Sequence, residues 1–194
     1  MTDEKPYHHG DLHTALLAAA EVELAERGVE AFSLRSVAKR AGVSHAAPTH
    51  HFGDANGLLT ALAARGFEDF LATQHAFEAR APQTRRDQLI ASGLGYIGFA
   101  RARPALFRLM FGSARTNYAN PALKAAADNA IVHLMTQVKL NGGNLAQDAA
   151  GVWATAHGLA DLLIAGRMKV LTEMPEAGLQ VMLTNILARS LPSA

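Results

Sequence analysis

The sequence predicts an all-α protein in which a small N-terminal helix-turn-helix domain is followed by a larger helical domain. Apolar residues recur at helical spacing along most of the chain, and residues that cap helices separate the periodic segments. Hydrophobic residues make up 49% of the 194 positions, which is ample for a buried core. Two turn-forming breaks, at residues 81–84 and 140–144, divide the second part further.

The segment SLRSVAKRAGVSHAAPTHHF, from Ser33 to Phe52, has the pattern of a helix-turn-helix. Its first helix carries apolar residues at i, i+3, i+4 and i+7, namely Leu34, Val37, Ala38 and Ala41. The hydroxyl of Ser33 is placed to cap that helix, and Gly42 follows it, where a left-handed residue ends a helix at little cost. The alternative is an ordinary helical hairpin, because helix-turn-helix patterns are degenerate.

The second helix of this segment would enter the DNA major groove. Ser44 is predicted to cap it, and the helix is expected to run to about His51. Ala46 and Ala47 keep it thin enough to approach base edges. The residues that would offer polar tips to DNA are His45, Thr49, His50 and His51. Phe52 is expected to pack into the small core.

Two further helices flank the helix-turn-helix. Asp11 is predicted to cap the first, which ends at Arg27-Gly28, and Asp54 is predicted to cap the long helix that follows. The apolar stripe of the first helix is Leu12, Leu16, Leu17, Ala20 and Leu24. The stripe of the long helix is Leu58, Leu59, Leu62, Ala63, Phe67, Phe70 and Leu71.

The run HHGDLHTALLAAAEVELAERGVEAFSLRSVAKRAGVSHAAPTHHFGDANGLLTAL resembles the DNA-binding domain of TetR-type transcriptional regulators. Further along, RPALFRLMF at residues 103–111 and WATAHGL at residues 153–159 resemble a TetR subgroup with a Trp…His-Gly motif. The resemblance therefore covers most of the chain. It implies a DNA-binding domain over residues 8–54 and a C-terminal ligand-binding and dimerisation domain over residues 55–194.

The resemblance implies a homodimer that binds a palindromic double-stranded DNA operator and represses transcription until a small-molecule effector releases it. Ser33 and Arg35 would then lie near phosphates at the start of the second helix. The recognition helix would carry the remaining DNA-binding residues, which are Ser44, His45, Ala46, Ala47, Thr49, His50 and His51. Whether the output is repression or activation stays open.

The chain departs from the family pattern at two positions. Thr49 stands where the family usually has an aromatic residue, commonly Tyr, against the sugar–phosphate backbone. Ala55 stands where a Lys usually reaches a phosphate. Such contacts supply much of the salt-dependent affinity, so we expect weak operator binding or an unusual operator. The alternative function is a dimeric helical small-molecule-binding protein that has lost DNA binding.

The charge distribution bears on the same question. The whole chain carries a net charge of +1, and residues 1–66 contain six Lys/Arg and eight Asp/Glu, a net charge of −2. Residues 31–53, however, contain Arg35, Lys39 and Arg40 and no acidic residue. The local distribution is therefore compatible with a nucleic-acid interface.

The histidines of the recognition helix suggest a pH-dependent interaction. If His45, His50 or His51 faces a phosphate, its protonation would strengthen DNA binding as the pH falls through about 6.5. A metal site is the alternative, but neighbouring histidines on a helix point about 100° apart, and the chain has no Cys and no H-E-x-x-H motif. We expect no metal and no other cofactor.

The second half is predicted to contain helices at about 85–101, 104–111, 121–140, 146–169 and 175–190. Gly93, Gly95 and Gly98 interrupt the first of these, each at a cost of up to ~1 kcal/mol relative to Ala. Such glycines indicate that another helix or a ligand packs close to this backbone. Packing by a helix is the favoured interpretation.

Two residue sets are candidates for the effector site and the dimer interface. The predicted pocket residues are Phe67, Phe70, Tyr96, Phe99, Phe107, Met110, Phe111, Trp153 and His157. The predicted interface residues are Val152, Ala156, Leu159, Ala160, Leu163, Leu179, Met182, Leu183 and Ile186. In both cases the alternative is that the residues form the internal core of a helical domain.

Composition and motifs argue against an enzyme, a membrane protein and a secreted protein. The chain has no Cys, no G-x-S-x-G motif and no phosphate-binding loop. No apolar run approaches the ~20 residues that span a bilayer, and the N-terminal residues have no hydrophobic signal core. A non-enzymatic, cytoplasmic protein is therefore expected, and the lack of Cys agrees with a reducing compartment.

Overall fold

The computed structural model describes residues 9–140 and 144–191, with side chains described for 12–139 and 144–191. Within these residues the chain forms ten α-helices and no strand, which confirms the all-α prediction. The helices are α1 (His9–Arg27), α2 (Leu34–Ala41), α3 (Ala47–Phe52), α4 (Ala55–Glu78), α5 (Arg85–Ala102), α6 (Pro104–Gly112), α7 (Pro121–Leu140), α8 (Leu145–Ile164), α9 (Lys169–Thr172) and α10 (Glu176–Ser190). None of the helices described is long and apolar enough to cross a membrane.

The chain folds into two compact units. Unit 1 comprises the described residues up to Gly66 together with Ala105–Lys124, and unit 2 comprises Phe67–Pro104 with the described residues from Ala125 onward. The sequence prediction placed all residues after 54 in one C-terminal domain. The structure instead groups the start of α4, nearly all of α6 and the loop after α6 with the helix-turn-helix.

Unit 1 is built around side chains from α1, α2 and α4. The fully buried residues include Leu16, Ala20, Leu24, Val37, Ala38, Leu58, Leu59 and Leu62. These are the apolar positions that the helical periodicity marked, so the predicted stripes on all three helices are confirmed. The first helix begins at His9, so Asp11 lies inside α1 and the prediction that it caps this helix is wrong.

Unit 2 has α5 at its centre, packed against α8 and α10. A Cβ added at Gly95 would lie 2.8 Å from the Cα of Gln74, so the backbones of α5 and α4 approach each other directly there. Gly93 faces Leu187 of α10, and Gly98 faces the ring of Phe77 on α4. Neighbouring helices therefore account for the three glycines, as the favoured interpretation predicted.

The predicted bounds hold for α5 and α7 but not for α8. The sequence analysis extended α8 to about residue 169, whereas the helix ends at Ile164. Gly166 adopts a left-handed conformation with φ 65°, and its N–H donates to the Leu163 carbonyl over 3.1 Å. Arg167 N–H donates to the Leu162 carbonyl over 3.0 Å. These bonds satisfy carbonyl groups that the helix end leaves open, so the helix stops at this glycine.

Candidate DNA-reading head and effector site

The first helix of the helix-turn-helix is capped as predicted at both ends. Ser33 Oγ accepts a hydrogen bond from the Ser36 N–H over 3.5 Å. Gly42 has φ 68°, and its N–H donates to carbonyl oxygens of the last turn. Val37 and Ala38 are fully buried against the core of unit 1. Residues 33–42 therefore form a fixed support for the turn and for α3.

The second helix begins later than predicted. Ala46, without a side-chain hydrogen bond, is the N-cap of α3, and the buried Pro48 lies in its first turn. A proline has no N–H to donate to the Ser44 carbonyl, as a helix capped at Ser44 would require. The Ala47 N–H donates to that carbonyl over 3.0 Å instead and closes a turn. The prediction that Ser44 caps the helix is therefore wrong, and Pro48 was the missed signal.

The predicted DNA-binding residues differ in how far they reach solvent. The exposed ones are Arg35, Ser44, His45, Ala46, Thr49 and His50, and the half-buried ones are Ser33, Ala47 and His51. The His51 ring centroid lies 6.4 Å from that of His13, and the Phe52 ring lies 4.8 Å from His13. His51 thus packs towards α1 with Phe52, as expected for Phe52 but not for His51.

Arg40, one of the three basic residues in segment 31–53, links α2 to α1. Arg40 forms ion pairs with Glu26 and, over 3.6 Å, with Glu23. Glu23 is only 2% exposed, and its Oε1 has no hydrogen-bond partner among the described residues. Arg40 therefore ties α2 to α1. Arg35 and Lys39 are the exposed cations that the segment presents beside α3.

The start of α4 follows the predicted geometry. Asp54 Oδ1 accepts from the Gly57 N–H over 2.7 Å, which confirms its capping role. Ala55 is the first residue of α4 and is half-buried, whereas Thr49 is exposed on α3. Of the two departures from the family pattern, Thr49 therefore lies on α3, and Ala55 lies three residues after α3 ends.

In unit 2 a hydrogen-bonded trio joins α5 and α8. Tyr96 Oη lies 2.7 Å from His157 Nδ1, and Trp153 Nε1 donates to Tyr96 Oη over 3.4 Å. The Phe70 ring packs edge-on against Tyr96 at 4.8 Å and against Phe99 at 5.4 Å. Burial raises the pKa of Tyr96, so its phenol stays neutral and able to donate. Polar groups on an apolar floor are the composition of a small-molecule site.

The remaining predicted pocket residues are divided between the two units. Phe67 is buried in unit 2, with its ring 6.5 Å from that of Phe70. Phe107, Met110 and Phe111 belong to unit 1, where the rings of Phe107 and Phe111 lie 4.9 Å apart. A cleft of about 230 Å³ in unit 1 is lined by residues at the end of α1, on α6 and just beyond each of these helices, and the sequence analysis proposed none of them as a pocket residue.

The structure buries most of the predicted dimer-interface residues inside the chain. Those less than 9% exposed are Val152, Ala156, Leu159, Ala160, Leu163, Leu179 and Leu183. Their stripes pack α8 and α10 against each other and against α5, so these residues are corrected to core. Ile186 is half-buried. Met182, which belongs to the predicted set, is 37% exposed, and its neighbour Val181, which does not, is 62% exposed, so the accessible apolar surface of α10 includes one predicted residue.

A polar cluster that the sequence analysis missed lies between α4 and α7 in unit 2. His75, Glu78 and His133 each offer a ligand atom, and these atoms all lie within 4.8 Å of one another. The H-x-x-E spacing on α4 places two of them on one face. His133 comes from another helix, and no local pattern could have paired it with them.

Comparison with known proteins agrees with this architecture. The family model described as bacterial regulatory proteins, tetR family, matches residues 16–62, and the model described as tetracyclin repressor-like, C-terminal domain, matches residues 89–186. No curated protein matches the chain. Both matched segments are helical in the structure.

Solved structures are similar over nearly the full length. A protein of unknown function from Rhodococcus sp. RHA1 is 32% identical, with a TM-score of 0.81 over 98% of this chain and 100% of that chain. A transcriptional regulator from the same organism is 25% identical, with a TM-score of 0.70 over 91% and 94%. A TetR family regulator from Marinobacter aquaeolei VT8, 19% identical with a TM-score of 0.69 over 94% and 96%, shares the fold.

Proposed function

The chain belongs to the TetR family of transcription regulators, and we propose that it represses transcription in the cytoplasm until a small-molecule inducer releases it from its operator. The observation that carries the proposal is the exposed polar face of α3, presented on a buried support of Val37, Ala38 and Pro48. Residues held in this way can enter a groove without rearrangement of the domain.

In the proposed complex α3 lies in the major groove of each half-site. His45, Thr49 and His50 reach base edges or the adjoining backbone, because their side chains are exposed on or beside α3. Arg35 and the N-terminus of α2 face phosphates, where free N–H groups and a positive charge favour an anion. Two such heads in a dimer would read half-sites about 34–36 Å apart.

The effector site that we propose is the trio of Tyr96, His157 and Trp153. A ligand with one polar group and an apolar body could bond to Tyr96 or His157 while it packs on Phe70 and Phe99. Such a ligand would compete with the 2.7 Å bond between Tyr96 and His157. If it favours one dimer conformation and DNA favours another, each must weaken the binding of the other by the same factor.

Homodimerisation is proposed through the outer faces of α8 and α10. Val181 and Met182 are exposed apolar residues on α10, and isologous pairing would bury them against a second copy. Val181→Asp should dissociate the dimer in sedimentation-velocity experiments. Gln180→Asp, an exposed position on the same helix, is the control and should leave the dimer paired.

The proposal is tested by incubating the protein with fragmented genomic DNA from its source and sequencing what is retained. One enriched palindrome is expected, and His50→Ala and Arg35→Ala should weaken its binding while the dimer persists. Arg80→Ala, an exposed change in unit 2, is the matched control and should bind as the native protein does. Loss of the dimer in His50→Ala would contradict the assigned division of roles.

A second candidate function is a dimeric helical small-molecule-binding protein that does not bind DNA. Thr49 and Ala55 favour it, because two usual phosphate contacts are missing, and the pairing of Arg40 with two glutamates reduces the available charge further. This candidate would be favoured if no DNA is enriched even at low salt and if a ligand is found that shields Trp153 from a fluorescence quencher.

A further inference from the structure

Three potential metal ligands meet between α4 and α7 in unit 2, and none of them belongs to the helix-turn-helix or to the trio of Tyr96, Trp153 and His157. His75 and Glu78 occupy successive turns of α4, and His133 projects from α7. The ring centroids of His75 and His133 lie 4.7 Å apart at 84°. His133 Nε2 lies 2.7 Å from Glu78 Oε1.

The distances fit a cation with small side-chain adjustments. With bonds of about 2.1 Å, neighbouring ligands of a tetrahedral zinc ion lie about 3.4 Å apart. The three ligand atoms already fall within 4.8 Å of one another, so side-chain rotation alone can close the set. The 2.7 Å contact between His133 and Glu78 would open slightly as both turn to the ion.

The three candidate ligand residues differ in solvent exposure, as expected for a metal site that is open to solvent on one side. Glu78 is 7% exposed, so its carboxylate needs a cationic partner in the interior. His133 is half-buried, and His75 is exposed. An ion could therefore enter from the His75 side and keep a fourth position towards solvent.

A second layer of hydrogen bonds holds the buried carboxylate. Ser92 on α5 bonds the Glu78 side chain. Its Oγ also lies 3.3 Å from His133 Nε2, a contact that an ion bound to this nitrogen would replace. Gln74 Nε2 donates to Ser92 Oγ over 3.0 Å and to the Ser92 carbonyl over 3.2 Å. Such outer partners orient metal ligands and raise affinity.

We propose that His75, Glu78 and His133 bind one divalent transition-metal ion, with Zn²⁺ as the best match to the ligand set. Two imidazoles and one carboxylate are nitrogen and oxygen donors that suit Zn²⁺ and its first-row neighbours better than Ca²⁺ or Mg²⁺, which take oxygen ligands. The simpler interpretation is an ion pair between His133 and Glu78. It assigns no role to His75, whose ring lies edge-on to that of His133. The proposal does not depend on whether the chain binds DNA.

The test is calorimetric titration of the full-length, chelator-stripped protein with ZnCl₂. One ion per chain is expected at the cluster, and His75→Ala and Glu78→Gln should each weaken its binding at least about tenfold. His75→Ala changes an exposed residue, so its fold should persist, and a thermal melt checks this. His45→Ala, which removes an exposed histidine from unit 1, is the matched control and should keep the site.

Cobalt gives a readout that an ion pair cannot. Co²⁺ bound at the cluster should produce visible d–d absorption that disappears in His75→Ala and persists in His45→Ala. The proposal is overturned if the native protein binds no ion at this stoichiometry. It is equally overturned if His75→Ala and Glu78→Gln bind zinc as tightly as the native chain, because the ion would then be held elsewhere.

Discussion

Arg115 Nε donates a hydrogen bond to the side-chain oxygen of Asn56 over 2.9 Å, although 59 positions separate them in the chain. The same guanidinium donates to the Val29 carbonyl. Asn117 N–H donates to Thr60 Oγ1 over 3.0 Å. The loop after α6 thus joins the segment behind α1 to the first turns of α4. These bonds explain why residues 105–124 belong to unit 1 and not to the unit that surrounds them in sequence.

Arg115→Ala should destabilise unit 1, which contains the helix-turn-helix. The change removes two hydrogen bonds from a charged, half-buried group, and we expect the free energy of unfolding to fall by about 1–3 kcal/mol. Urea unfolding measures it, with Arg80→Ala as the exposed control that should change by no more than about 0.5 kcal/mol. Equal stability of the two variants would show that the Arg115 contacts contribute nothing.

Restoring the missing family residues should strengthen operator binding. Thr49→Tyr would add a contact to the sugar–phosphate backbone, and Ala55→Lys would add one phosphate contact. The slope of log K against log salt should become steeper by about 1 for Ala55→Lys. Fluorescence anisotropy at several salt concentrations measures this slope. Ala125→Lys adds the same charge on α7 in unit 2 and should leave it unchanged, so an equal gain in both would mean that total charge is responsible.

The pH dependence of operator binding tests the role of the recognition-helix histidines. Since His50 is exposed on α3, its protonation beside a phosphate should tighten binding as the pH falls from about 8 to about 5.5. His50→Gln should lose most of this dependence, while His51→Gln should keep more of it because His51 packs towards α1. An affinity of the native protein that stays flat over this range would refute the idea.

Gly95→Ala should be the most damaging of the α5 glycine substitutions. A new Cβ would lie 2.8 Å from the Gln74 Cα, and backbone cannot move aside as a flexible side chain can. We expect a loss of about 1–3 kcal/mol, as for overpacked cores. Gly93→Ala meets only the tip of Leu187 and should cost less.

Gly151→Ala is the opposite control, because nothing lies within 4 Å of its added Cβ and the residue is exposed on α8. It should stabilise the chain by up to ~1 kcal/mol. Thermal and urea unfolding of the Gly93→Ala, Gly95→Ala and Gly151→Ala variants gives the order of their stabilities. A Gly95→Ala variant as stable as Gly151→Ala would contradict the close approach of α4 and α5.

The ion pair between Arg101 and Glu176 should make a small, pH-dependent contribution to stability. Both guanidinium nitrogens donate to the carboxylate at 2.8 Å, and these bonds lower the pKa of Glu176 below its ordinary value of 4.5. Below pH 4.5 the unfolded chain takes up the proton first, so the stabilisation is present above that pH and disappears as the pH falls through the lowered value.

Glu176→Gln should therefore be less stable than the native chain at neutral pH and equal to it in acid. Because the pair is exposed, the difference at neutral pH should be a few tenths to about 1 kcal/mol. Urea unfolding between about pH 3 and 7 measures it. A difference that stays constant into acid would mean that the carboxylate charge is not its cause.

Local signals in the sequence were sufficient for most helix boundaries. Ser33, Gly42 and Asp54 each act on backbone groups within four residues, so their capping roles followed from position alone. Pro48 also carried such a signal, since its missing N–H forces α3 to start at Ala47 and not behind Ser44. Gly166 likewise marked the end of α8.

Roles that depend on a distant partner could not be predicted. The sequence analysis counted Arg40 among the basic residues of segment 31–53, whereas the structure pairs it with Glu23 and Glu26 on α1. The apolar stripes of α8 and α10 were compatible with a dimer or a core, because periodicity shows which face is apolar and not what covers it. In the structure α5 packs against both α8 and α10.

The sequence by itself determined the all-α class, the helix-turn-helix and the family, because these rest on periodicity, caps and motifs whose members are close in the chain. Only the tertiary structure decided that Arg115 supports the reading head, that Tyr96 meets His157, and that His133 joins His75 and Glu78. Each of these contacts joins different helices or a helix and a loop. Their proximity is set by how side chains fill the space between those elements, and no local pattern encodes that packing.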